Sequence, residues 1–240
     1  MRILVPDEFT AARVGSRSES RKSIKIRCLF RLFAMRSSFR FVPPCLPIQR
    51  HCPPSGDKWV HEIKFDGWRC QAHKQGDCVR LFSKKGNDLS YRFPSLAWSL
   101  RGFAVDTVIL DGEVVAVDKN GRPDFAALFT AEPERVQFWA FDLLKVDGRV
   151  LAMSPLLERR RDLTHAFENP PEGCLLSETF EDAKALLRAA DRFGLEGIVS
   201  KRKDRGYRSG ASSHWVKVKT GVWRKANEQR WKLFEPAARS

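Results

Sequence analysis

An α+β fold, with antiparallel sheets and helices laid against them, is predicted by three features of the sequence. Short apolar runs recur on either side of Asp-Gly or Gly-Asp pairs, the dipeptides that favour tight hairpins: Asp66-Gly67, Gly76-Asp77, Asp111-Gly112 and Asp147-Gly148. Two longer stretches, 155–167 and 181–193, place their apolar residues at helical rather than alternating spacing. No internal repeat is evident, and many hairpins with helices inserted between them point to a layered α+β domain.

The elements follow in order. Residues 1–34 are rich in Arg and Ser, and their apolar run from Cys28 to Ala34 is broken by Arg31, too short for a secretory signal. They read as a disordered or misassigned extension, with Met35 a candidate second start, and the first boundary is drawn at 1–40. A chain starting at Met35 is expected to melt within about two degrees of the full one, because the segment has no periodic apolar face to pack. From Phe41, prolines 43, 44, 47, 53 and 54 mark an extended approach. Strands are expected at 59–65 and 70–74 around Asp66-Gly67, and at 78–83 after Gly76-Asp77. A strand pair is expected over 107–118 around Asp111-Gly112, and another over 136–151 around Asp147-Gly148. The helix over 155–167 opens at Pro155, a residue suited to a first turn. The helix over 181–193 puts Ala183, Leu186, Leu187, Ala190 and Phe193 on one face; Thr179 and Asp182 form a capping box and Gly194 ends it. Strands return at 196–202 and 215–219. The domain is drawn at 41–220, and 221–240 is read as a short tail.

Composition bounds the function. The 240 residues suffice for one sizeable core, and 42% are hydrophobic. No apolar run approaches the ~20 residues of a membrane span. A net charge of +14 favours polyanions such as nucleic acid. The surplus is uneven: residues 1–50 hold 11 Lys and Arg against 3 acids, leaving about +6 for the other 190. Six cysteines at 28, 45, 52, 70, 78 and 174 show no C-x-x-C spacing, which argues against structural zinc. They read as reduced thiols of a cytosolic protein, with Cys70 and Cys78 able to face each other across a hairpin.

Chemistry centres on Glu62-Ile-Lys64-Phe-Asp66-Gly67-Trp-Arg69. A lysine in a strand-like run, then a turn, then an arginine suits attack of a lysine amine on a nucleotide phosphate; the plainer reading is a basic hairpin. Five further segments matter once Lys64 is singled out: Ser83-Lys84-Lys85-Gly86, Leu110-Asp111-Gly112-Glu113, Phe141-Asp142-Leu143-Leu144, Glu196-Gly197-Ile198-Val199-Ser200-Lys201, and Trp215-Val216-Lys217-Val218-Lys219.

In this order and spacing, over about residues 41–235, the segments resemble the motifs of the covalent nucleotidyltransferases: ATP-dependent DNA ligases, RNA ligases and capping enzymes. The ligase module of bacterial end-joining ligases is the subgroup most resembled, through Phe41–Pro47, Trp59–Glu62 and Tyr207–Gly210. The resemblance implies a nucleotidyltransferase (adenylation) domain of ATP-grasp-like layout that uses ATP with Mg²⁺ (or Mn²⁺). It implies that Lys64 attacks the α-phosphorus to give lysyl-AMP, and that Arg69 bonds the ribose or a terminal DNA phosphate. By the same resemblance Glu62 would accept from the adenine amine and Phe141 would stack on the base. The resemblance likewise implies that Glu113 serves the ribose or a metal-bound water and that Glu196 holds the cation.

A free lysine titrates near 10.4, so making such an amine nucleophilic at pH 7 takes roughly 4 kcal/mol. Lys217 and Lys219, two apart on a strand, share a face and can supply a cationic wall; as an isolated pair they would read as guards of a strand edge. A glycine beside each of Glu113 and Glu196 is expected to let backbone approach a ligand.

Two departures from the family are visible. Lys84 and Lys85 stand where the family usually has Arg and then Asn or Arg, which loses a bidentate phosphate grip. Only 21 residues follow Lys219, too few for the family's OB-fold, so this stretch alone is expected to seal nicks poorly. The resemblance further implies nicked or broken duplex DNA as substrate, end-joining proteins such as Ku or a separately encoded polymerase as partners, and a bacterial cytoplasmic, nucleoid-associated setting. The other readings are an RNA ligase or capping enzyme, and a non-catalytic DNA-binding remnant.

Overall fold

The computed structural model describes residues 39–228 except 120, 122, 131, 133 and 134. The expectations for residues 1–34, for the division at residue 40, for Cys28 and for most of 221–240 lie outside these residues. Ten strands and four α-helices are described. A four-stranded sheet runs β1 (Cys45–Gln49), β10 (Gly210–Lys219), β9 (Gly197–Arg202) and β2 (Trp59–Lys64) in spatial order. A larger sheet runs β4 (Cys78–Ser83), β3 (Trp68–Gln75), β5 (Thr107–Ala116), β6 (Val136–Val146) and β7 (Arg149–Val150), with β8 (Cys174–Leu176) paired to β6. The pairings are antiparallel except β1 with β10 and β6 with β8. The helices are α1 (Pro94–Ser99), α2 (Leu156–Ala166), α3 (Ala183–Arg192) and α4 (Gly221–Ala226).

Period-two alternation splits the small sheet into two faces. Ile63, Ile198, Val216 and Val218 point to one side, where they pack on Ala183, Leu186 and Ala190 of α3. Asp182 caps α3 by accepting from the Ala185 amide at 2.9 Å, and Gly194, at φ 68°, follows it. Thr179 takes no part in that cap, and Phe193, expected on the apolar face, is 61% exposed. The large sheet builds the main core, in which Cys70, Ala72, Leu110, Val114, Phe138 and Leu143 meet side chains of α1 and α2. Fully burying one such large aliphatic or aromatic side chain is worth about 1.5–3 kcal/mol.

Two of the four dipeptides are not hairpin turns. Asp111-Gly112 lies inside a single ten-residue strand, not between a strand pair. A Cβ on Gly112 would come within 2.6 Å of the Phe138 ring, so this glycine serves sheet packing and not a turn. Asp66-Gly67 joins β2 of the small sheet to β3 of the large one, so the chain crosses between layers there. Gly76-Asp77 and Asp147-Gly148 do turn hairpins, the latter with φ of 42° and 81° in the left-handed region. Cys70 pairs with Ser83 and Cys78 with Gln75, so the two cysteines do not face each other. The stretch after residue 220 begins as α4, whose Trp223 is buried and donates its indole N–H to Asp66 at 3.2 Å.

Candidate functional site

The face of the small sheet turned away from α3 carries Glu62 and Lys64 on β2, Lys201 on β9, and Trp215, Lys217 and Lys219 on β10. Register sets their spacing. Lys64 and Lys219 both stand opposite Gly197, Glu62 and Lys217 both opposite Val199, and Trp215 opposite Lys201. A Cβ on Gly197 would lie 2.0 Å from the Val218 carbonyl oxygen. This glycine therefore lets two strands approach, as Gly112 does. Glu196, just before β9, accepts from Lys64 Nζ at 2.6 Å on one oxygen and lies 3.0 Å from Lys219 Nζ on the other.

The large sheet supplies the opposing wall. Arg69 on β3 stands across from Glu113 on β5, two register positions from the Gln71–Asp111 pair. Asp111 is fully buried and grips Arg69 with both oxygens, at 2.7 and 2.6 Å, while the Tyr207 hydroxyl donates to the same carboxylate. Burial works against the Arg69 charge, but the Asp111 carboxylate outweighs it and leaves the guanidinium pKa above its ordinary value. The Arg69 guanidinium lies 4.4 Å from the Phe141 ring centroid. The Lys201 ammonium lies 4.4 Å from the same centroid, and Trp215 meets the ring edge-on.

A cavity of about 470 Å³ opens between the walls and is lined by Glu62, Lys64, Arg69, Glu113, Phe141 and Lys217 among others. Ser83 and Lys84 close one side of it. Of the residues singled out in the sequence, Glu196 and Lys219 are not in the lining; Glu196 joins the site through its ion pair with Lys64, and Lys219 through its ion pair with Glu196. Lys217 has a lowered pKa, first through burial and then through Lys64 and Lys219, so the cationic wall perturbs its own members.

Sequence reasoning gave no role to Lys201, Asp111 or Arg160. Lys201 is almost wholly buried and donates to Glu62 Oε2 at 2.8 Å and to the Phe141 carbonyl at 3.2 Å. No local signal in the sequence marks Lys201, because its partner Glu62 lies 139 residues earlier in the chain.

The donor set fits a divalent cation that is shared with phosphates. Burial pushes the Glu113 carboxyl up to about 7, and the nearby Glu196 and Asp111 charges add to this against Lys64 and Arg69. A cation beside Glu113 and Glu196 would relieve that repulsion. Among the described residues there is no cluster of three or more metal-ligating side chains, so the remaining ligands would be phosphate oxygens and water, as Mg²⁺ prefers.

The raised carboxyl gives a pH prediction. A carboxyl with a folded pKa above its unfolded one binds its proton more tightly in the fold. Its contribution to stability is therefore greatest at low pH and is lost as pH rises from about 4.5 to about 7. In metal-free buffer, Glu113→Gln should gain melting temperature relative to the unmodified chain across that window, with no further gain above it. Parallel curves for the two proteins would contradict the assignment.

The description "ATP dependent DNA ligase domain" belongs to the family model that matches residues 44–219. The multifunctional non-homologous end joining protein LigD of Pseudomonas aeruginosa is 39% identical over 173 residues, covering 70% of this chain and 20% of that protein. A probable DNA ligase of Beutenbergia cavernae is 35% identical over 183 residues, covering 69% of this chain and 35% of that protein. This chain thus spans about a fifth to a third of the length of these curated relatives. A solved structure of mycobacterial DNA ligase D complexed with ATP and MES superposes with a TM-score of 0.65 at 32% identity, covering 75% of this chain and 62% of that one. The ligase domain of Mycobacterium tuberculosis LigD superposes with a TM-score of 0.64 at 31% identity, covering 75% and 61%. The adenylate form of a Chlorella virus DNA ligase, at 15% identity and a TM-score of 0.52, shares the fold. No helix among the described residues is long and apolar enough to cross a membrane. With sheets, cavity and sequence in agreement, the chain belongs to the ATP-dependent DNA ligase domain family.

Proposed function

We propose that residues 41–220 form a nucleotide-binding unit that adenylates itself at Lys64 with ATP, the first step in sealing breaks in DNA. The observation that carries this reading is the cavity itself. It places a lysine amine, a second lysine, a buried acid, an arginine and an aromatic ring around one space large enough for a nucleotide.

In the step proposed, Lys64 Nζ attacks the α-phosphorus, an N–P bond forms, the bond to the bridging oxygen breaks, and pyrophosphate leaves with that electron pair. The amine loses its proton in the process, and Glu196, in contact at 2.6 Å, is the group placed to receive it. Lys217 faces the same cavity and offsets phosphate charge as it shifts toward the leaving group. Mg²⁺ held by Glu113 and Glu196 would polarise the phosphates. Arg69 is fixed by Asp111, which limits it to a stationary contact with ribose or phosphate.

Transfer of AMP to a DNA 5′-phosphate and attack by a 3′-hydroxyl complete the reaction as proposed. The basic balance of the chain and the DNA ligase and end-joining names of its relatives support DNA as the substrate. The end-joining names of its relatives support an end-joining protein as partner, and Ku or a polymerase is proposed for that place.

Labelled ATP or GTP followed by denaturing electrophoresis tests the reading: ATP should label the chain and GTP should not. Label from GTP alone would indicate a capping-type enzyme instead. No label from either nucleotide, in the presence of Mg²⁺ or Mn²⁺, would support the binding remnant. Phe141→Ala should weaken ATP binding by about 1–3 kcal/mol, the usual worth of base stacking on an aromatic side chain. Calorimetric titration well below the melting temperature checks this, since the ring is also 8% exposed core. An unchanged affinity would remove Phe141 from the base pocket.

A further inference from the structure

Trp223 stands on α4, in the stretch that reads from the sequence as a tail, yet it is only 7% exposed. Two contacts tie it to Lys64 from opposite sides. Its indole N–H donates to Asp66 Oδ2 at 3.2 Å, and Asp66 lies two residues beyond Lys64, in the crossing from β2 to β3. Its ring centroid lies 4.2 Å from Lys219 Nζ, a cation–π contact. Lys219 Nζ is in turn 3.0 Å from Glu196 Oε1, and the other oxygen of Glu196 accepts from Lys64 at 2.6 Å. The contacts run in a ring: Lys64, Glu196, Lys219, Trp223, Asp66, and back to Lys64 along the backbone.

The start of α4 holds this ring in place. Thr220 caps the helix; its hydroxyl accepts from the Trp223 amide at 3.3 Å and donates to the Leu195 carbonyl at 2.7 Å. The Thr220 amide donates to the Glu196 carbonyl at 3.0 Å. The cap thus fastens the helix to the segment that carries Glu196. Neither Trp223 nor Lys219 lines the nucleotide cavity, so what they can set is the direction of the amine and not the surface a nucleotide meets. Glu196 serves two lysines with two oxygens. With Lys219 held against the indole, Oε1 is committed to it and Oε2 is left to Lys64. A released Lys219 would let the carboxylate turn, and Lys64 would follow it. The bond to Asp66 fixes the other end, because a shift there would carry the Lys64 backbone with it.

We propose that Trp223 is a positioning residue for the adenylation step: it holds Lys219 against Glu196 and anchors Asp66, and so keeps the Lys64 amine aimed at the α-phosphorus without touching the nucleotide. This inference rests on the reading of Lys64 as the residue that takes up AMP. Misplacing a reacting group by about 1 Å can cost about a hundredfold in rate. Contacts of the nucleotide with the cavity wall are left as they were, so the loss falls on rate and not on affinity.

The test uses the full chain with Mg²⁺ and measures two quantities apart. One is the single-turnover rate of covalent labelling at saturating ATP. The other is the Kd, by calorimetry, for the α,β-methylene analogue of ATP, which cannot transfer AMP. In Trp223→Leu the labelling rate should fall about tenfold or more, while the Kd stays within about twofold. Trp223→Phe keeps a ring for Lys219 but has no N–H for Asp66, and should recover most of the rate, remaining about threefold slow. A merely structural role would not split rate from affinity in this way, nor be rescued by a ring. If Trp223→Leu fails to fold, as judged by melting, Trp223→Phe alone decides. An unmodified rate in whichever variant folds overturns the proposal. So does a rate that falls only in step with affinity, or a Trp223→Phe as slow as Trp223→Leu. The two readings fail separately: a chain labelled at Lys64 whose Trp223 variants keep the full rate loses only the Trp223 inference. A chain that ATP never labels loses both.

Discussion

Lys64→Ala should eliminate covalent nucleotide label altogether while leaving the fold in place. The amine is the only atom of Lys64 that the proposed step uses, and its side chain is 22% exposed, so its loss leaves no sealed void. Glu196 does not become an orphan charge, because Lys219 remains 3.0 Å from it. The melting temperature should therefore move little, and ATP binding should survive through the ring, the acids and Lys217. The informative failure is specific. Lys217 lines the same cavity and has a lowered pKa, so it is the alternative nucleophile. Label that persists in Lys64→Ala and disappears only in the double replacement with Lys217 would move the reaction from β2 to β10.

The largest expected loss of stability lies at a pair that the chemistry does not use. Arg159 of α2 and Asp142 of β6 are both fully buried and meet through two bonds, at 2.7 and 2.8 Å. Arg159 also donates to the carbonyls of Ser154 at 2.6 Å and Arg205 at 3.2 Å. Burial alone would depress the Arg159 pKa, but Asp142 more than compensates and raises it. Arg159→Met strips the carboxylate of its partner and takes the donor from the Ser154 carbonyl, while the Arg205 carbonyl keeps the Leu156 amide at 3.0 Å; the loss should cost about 3–5 kcal/mol in denaturant unfolding. Replacing both residues with apolar ones of similar volume should recover part of that, since the stranded charge goes too. A loss of about 1 kcal/mol or less for Arg159→Met would mean the pair behaves like a surface ion pair, with water reaching it.

This pair also shows where the sequence stops being readable. The helix over 155–167 was legible from Pro155 and its spacing, but its inward face is made of Leu156, Leu163 and two arginines. A charged residue on a buried face cannot be told from a solvated one until its partner, 17 residues away on another element, is known. The Asp-Gly signals divided for the same reason. At Asp147-Gly148 local backbone preference decides, and the turn forms. At Asp111-Gly112 the neighbouring Phe138 ring demands a glycine in mid-strand, and at Asp66-Gly67 the partner strands belong to different sheets, so tertiary packing overrides the local signal. The catalytic candidates were legible because alternation along β2 and β10 fixes which side chains share a face. Lys201 was not, because its value comes from Glu62, 139 residues earlier in the chain.

The central claim is that Lys64 is the residue that takes up AMP. Peptide mass spectrometry of the full chain, denatured after incubation with ATP and Mg²⁺, tests it most directly. The account predicts an acid-labile AMP adduct on the peptide that carries Lys64, absent when GTP replaces ATP. An adduct confined to Lys201, Lys217 or Lys219, or a chain that binds ATP yet never carries AMP, would contradict it.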